Sequence, residues 1–64
     1  MSANKIYDIL HQTDHVLLSK ILNGGISILD ANERLIYEKI AKQAGDIGWT
    51  HERIMSAMQR VIEQ

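Results

Sequence analysis

His11 and His15 stand four apart, so on one continuous helix both imidazoles would point to the same side, with Asp8 one turn earlier. Three ligand-type side chains in line are the closest approach to a metal site in this chain. The set is incomplete, because no glutamate follows His11 as in the zinc-protease motif His-Glu-x-x-His and no fourth ligand is indicated. The pair is read as surface or half-buried histidines, with His51 exposed, and no metal or cofactor is expected. Nucleophilic catalysis has no better footing. There is no cysteine, and Ser2, Ser19, Ser27 and Ser56 lack the Gly-x-Ser-x-Gly setting of an activated serine. Gly24-Gly25 runs into Ile26-Ser27-Ile28 rather than the Lys-Ser/Thr of a phosphate loop, so its expected work is to stop a helix. A chain of 64 residues also has little core from which to carve a pocket and its supporting shell. The sequence is not expected to be an enzyme.

With catalysis set aside, charge and hydropathy constrain what the chain can bind. Seven Lys and Arg against eight Asp and Glu leave a net charge of −1, so no global field draws in nucleic acid or acidic membrane. Hydrophobic residues make up 45% and charged residues 23%, a balance that folds rather than stays disordered. Apolar runs get no longer than Val16-Leu17-Leu18, far below the roughly 20 residues of a membrane span. The opening Met-Ser-Ala-Asn-Lys lacks the apolar stretch of a signal peptide, and a cytoplasmic address is expected.

The elements that would carry these side chains are punctuated by glycine. Gly24-Gly25, and Gly45 with Gly48, divide the chain into three segments of helical length, with no proline in any of them. We expect helices near residues 3 to 23, 30 to 44 and 50 to 64, and no sheet. Thr13-Asp14 can cap a new helix, which would make four. Asp30 with Glu33 has the spacing of an acidic capping box, and Gly45 is the expected C-cap of the helix it opens. The buried arc there should be Ile36, Tyr37, Ile40, Ala41 and Ala44, with Leu35 outside it beside Lys39 and Lys42. Thr50 should cap the last helix, whose Ile54, Met55, Ala57, Met58, Val61 and Ile62 share one face. Trp49 and Ile54 occupy the positions of a hydrophobic staple, so Trp49 should close the core.

The stretch Asn32-Glu-Arg-Leu-Ile-Tyr-Glu-Lys-Ile-Ala-Lys-Gln-Ala-Gly, continued by Ile47-Gly-Trp-Thr-His-Glu-Arg-Ile-Met-Ser-Ala-Met, resembles the helix-turn-helix half of winged-helix domains. That resemblance implies a dimeric transcriptional regulator that binds DNA through residues 31–64. Arg53, Ser56, Gln59 and Arg60 would then face the groove. Glu52 and Glu63 share the outward face, which ranks this reading second.

The first segment points elsewhere. Ile6, Ile9, Leu10, Val16, Leu17, Leu18, Ile21 and Leu22, placed on one continuous helix, spread over about 240°, more than one bundle interface covers. The fold expected is therefore a small all-α bundle of three helices, or four with the break. Its function is expected to be that of a protein-binding module or regulator, an adaptor or inhibitor, in homodimeric form. The partner-binding residues are Ile9, Val16, Leu18 and Leu22 on the surplus face, with Leu35, Lys39 and Lys42 extending it or forming a second site. The alternative weighed against this is a central first helix covered on its second side by the Ile26 to Leu29 segment.

Overall fold

The computed structural model describes residues 3–64; Met1 and Ser2, and with Ser2 one of the four serines considered above, lie outside the described residues. Four α-helices follow one another: α1 (Ala3–Gln12), α2 (His15–Gly24), α3 (Ala31–Asp46) and α4 (His51–Glu63), with one 3-10 turn at Ile26–Ile28. The described residues contain no strand.

The break at Thr13-Asp14 is built from side chains. Thr13 donates its hydroxyl to the Ile9 carbonyl at 2.7 Å, closing α1, and Asp14 Oδ1 accepts from the Val16 amide at 2.9 Å, opening α2. Two short helices replace one long one, and the angular register starts afresh at His15. Within α2, Leu17, Leu18, Ile21 and Leu22 span only about 140°, an ordinary core-facing arc, and Val16 stands about 100° outside it. The wide apolar arc was a property of the continuous wheel. The physical helices do not have it.

Gly25 ends α2 at φ 72°, and after the 3-10 turn Asp30 opens α3. The capping box is complete: Asp30 Oδ1 accepts from the Glu33 amide at 2.8 Å, and Glu33 Oε1 accepts from the Asp30 amide at 3.0 Å. Glu33 also receives Lys20 Nζ from α2 at 3.0 Å on both oxygens, tying the two helices together. The far end of α3 differs from expectation. Gly45 lies inside the helix, and the residue with positive φ is Gly48, at 84°. Trp49 N–H reaches the Ala44 carbonyl at 3.0 Å and Gly48 N–H the Gly45 carbonyl at 3.0 Å, the paired bonds of a Schellman stop. Thr50 then caps α4 by accepting from the Arg53 amide at 3.2 Å.

One core joins all four helices. Ile6 and Leu10 of α1, Leu18 of α2, Ile40 of α3 and Met58 of α4 are completely buried, and no polar or charged residue is buried among those described. α2 packs most extensively on α4, while α1 lies against α3 and α4. The radius of gyration, 10.7 Å, is what a compact chain of this length should have, about 11 Å. The chain therefore closes its core on itself.

Candidate functional site

A cleft of about 320 Å³ opens where the α1–α2 corner meets α3. Its apolar lining is Ile9 from α1, Leu17 from α2, and Ile36 and Ile40 from α3. Gln12, Thr13 and Asp14 edge it on the corner side, and Lys39 edges it on α3. The local sequence places each group. The stop–start at Thr13-Asp14 swings α2 away from the axis of α1 and leaves a notch there. Asp14 spends Oδ1 on the cap but keeps its negative charge at the rim. Lys39 sits on the flank of α3, about 60° from Ile36 and 40° from Leu35 on the wheel.

One apolar lining residue, Ile36, stays exposed, and two further exposed apolar residues, Val16 and Leu35, are chain neighbours of the lining Leu17 and Ile36. Val16 is 73% exposed, Leu35 63% and Ile36 43%. Val16 shares a stripe of α2 with Lys20, which reaches across to Glu33, so this stripe borders α3. Leu35, Lys39 and Lys42 form the exposed stripe of α3, as their spacing predicts. A second pair of exposed apolar residues, Ile26 and Ile28, lies in the 3-10 turn at the other end of α2.

The expected partner-binding residues divide under this geometry. Val16, Leu35, Lys39 and Lys42 are exposed, and Ile9 is half-buried in the cleft. Leu18 is corrected: it is fully buried in the core, because the new register of α2 turns it inward. Leu22, half-buried, packs against the same core. Ile36 is corrected in the opposite sense. Expected in the buried arc, it sits at that arc's edge and opens onto the cleft, while Tyr37, Ile40 and Ala44 take the centre. Its position about 40° short of Ile40 was the available signal. Of the Ile26 to Leu29 segment, Leu29 is buried in the core, and the half-exposed Ile28 lies over Gly24 at the end of α2.

The other candidate groups do not converge. Among the described residues no three His, Asp or Glu side chains come together in a way that could hold a metal ion. His11 lies in the last turn of α1 and His15 opens α2, so the break cancels their helical spacing. His51 is exposed, its Nδ1 3.5 Å from the Tyr37 hydroxyl. Arg53, Ser56, Gln59 and Arg60 are exposed on α4, but two of them are engaged within the chain. The Arg53 guanidinium lies over the Trp49 ring, 4.9 Å from its centroid, and Gln59 donates to Glu63 at 3.0 Å. Trp49 itself is half-buried rather than sealed in: it packs against the core and meets Tyr7 edge-to-face, centroids 6.0 Å apart. No helix among the described residues is long and apolar enough to cross a membrane. The chain matches no protein-family model, no curated protein and no solved structure, so the reading of its site rests on its own geometry.

Proposed function

We propose that this chain is a small protein-binding module or regulator of the cytoplasm, an adaptor or inhibitor rather than an enzyme, and that the cleft between the α1–α2 corner and α3 is its contact surface. One observation carries this reading: Ile36 lines an apolar cleft and stays 43% exposed, with the exposed Leu35 next to it in the chain, although the core is already closed. Isolated exposed apolar residues are ordinary; a group of them beside a concave apolar site is what protein contacts use. Asp14 and Lys39, both exposed and both lining the cleft, supply polar groups for the rim of such a contact. The DNA reading is second because two of its four residues are engaged within the chain, Arg53 over Trp49 and Gln59 with Glu63, while Ser56 and Arg60 are exposed.

Site-specific photo-crosslinking in the native cytoplasm tests the reading. A benzophenone side chain at Ile36 should give discrete protein adducts, self-adducts included, and the same group at Gln59 on α4 should give few. Equal and diffuse labelling from the two positions would remove the basis for a contact at the cleft.

A further inference from the structure

We infer that the Thr13-Asp14 break is a hinge, and that opening it exchanges α1 between two copies of the chain to give a domain-swapped dimer. This is independent of the contact proposed at the cleft, since it concerns the site in which α1 itself lies. The other two junctions are fixed by glycine, Gly25 at φ 72° and Gly48 at φ 84°. Thr13-Asp14 has neither glycine nor proline and no positive φ. Asp14 already has a helical φ of −56°, and its ψ of 125° is what takes it out of the helical range. Rotating that one torsion to about −42° brings Asp14 into a helix. A continuous helix over residues 3 to 24 would recover the i to i−4 backbone bonds that the break gives up. The Asp14 cap is lost in exchange, while the Thr13 hydroxyl keeps the Ile9 carbonyl, a bond that threonine also makes inside helices.

Within one chain, packing opposes the straight form. α1 rests on α3 and α4 and hardly touches α2, so straightening draws Ile6 and Leu10, both completely buried, out of the core. The occupant that fits the vacated site is the α1 of a second, equally opened copy, because the same side chains meet the same core. Two-fold exchange restores both cores and keeps both straightened junctions, and it leaves the packing of α2 on α4 as it is. A short connection holds α1 at its own site with an effective concentration on the order of millimolar, so a second copy competes only near that concentration.

Sedimentation equilibrium of the full chain, refolded at concentrations from about 10 μM to about 1 mM, tests this. The weight-average mass should rise above 7.3 kDa toward the top of the range. Asp14→Ala removes the cap that holds the break and supplies a strong helix former; with two hinges per dimer, it should tighten association about tenfold or more. His15→Pro should do the reverse. Proline suits the first position of α2 and confines the residue before it to the extended ψ that Asp14 already has, so this variant should fold and stay at 7.3 kDa throughout. The exchange itself is read from Tyr7 and Trp49, whose ring centroids lie 6.0 Å apart. When isotope-labelled and unlabelled chains are refolded together at about 1 mM, an isotope-filtered nuclear Overhauser effect should join Tyr7 of one copy to Trp49 of the other. A wild-type chain that stays at 7.3 kDa to the top of the range overturns the inference. So does a His15→Pro chain that associates like wild type, or a dimer whose Tyr7–Trp49 contact remains within each chain.

Discussion

Glu33 is the side chain with the most work to do. Its carboxylate completes the capping box of α3 and receives Lys20 from α2, and the two roles can be separated by substitution. Glutamine keeps an oxygen for the Asp30 amide and gives up only the ion pair, which is partly solvent-exposed on both sides and is worth about 0.5 kcal/mol. Glu33→Ala loses the cap contact as well and should cost about 1 to 1.5 kcal/mol in urea denaturation. Equal losses for the two variants would show that the cap contact contributes nothing. Trp49 is a second residue whose effect is set by its surroundings. Half-buried against Tyr7 and covered by Arg53, it should cost about 2 kcal/mol on replacement by Ala, less than the 3 to 5 typical of a fully buried tryptophan. Arg53→Ala should cost about 0.5 kcal/mol and shift the tryptophan emission, because the guanidinium leaves the ring face.

At the scale of the element, the end of α3 offers a pair of glycines with opposite expectations. Gly48 holds φ at 84°, where a side chain clashes with its own backbone, so Gly48→Ala should destabilise the chain by about 1 kcal/mol. Gly45 has ordinary helical geometry and open space around a would-be Cβ, so Gly45→Ala should stabilise it by about 0.5 to 1 kcal/mol. Thermal melts of the two variants should move in opposite directions. Melts that moved the same way would show that the Schellman stop at Gly48 is misplaced. The Thr13-Asp14 break has a comparable test. Asp14→Ala should lower stability by about 1 kcal/mol through loss of the α2 cap, whereas Asp14→Asn should be nearly silent.

For the molecule as a whole, a single-core domain of this size rarely holds more than about 3 to 5 kcal/mol. Leu18, with no exposed surface, should cost about 2 to 5 kcal/mol on truncation to Ala, enough to bring the chain close to unfolding at room temperature. Leu18→Glu should abolish the folded circular dichroism spectrum, and Val16→Glu, two residues away and 73% exposed, should leave it intact. A folded Leu18→Glu chain would mean that α2 is rotated relative to the arrangement described here. The balance of charge carries its own expectation. With a net charge of −1 and glutamates flanking Arg53 and Arg60 on α4, the chain should not retard mixed duplex DNA in a gel shift even at low salt. A salt-sensitive shift lost in Arg60→Ala would put the helix-turn-helix reading ahead of the protein-binding one.

Local grammar was readable in the sequence wherever the controlling contacts lie within a few residues. Asp30 with Glu33, Thr50 before α4, and the stop near Gly24-Gly25 all depend on hydrogen bonds or backbone angles spanning one turn, and each stands where its spacing puts it. The all-helical class followed for the same reason. Gly45 and Gly48 show where that reach ends, since both can finish a helix and the choice falls to the one whose stop lets Trp49 turn back toward Tyr7 and the core. The cleft lay further out of view. Its shape depends on whether α1 and α2 are one helix or two, because a break resets the angular phase of every residue after it. Leu18 thereby moves from a surplus face into the core, while Val16 is left outside. Ile36 was likewise placed by tertiary packing: its wheel position lies on the boundary of the buried arc, and exposure at a boundary is set by which neighbour arrives there. At Ile36 the notch beside Thr13-Asp14 leaves that edge uncovered, and a residue suited to the core becomes part of the surface.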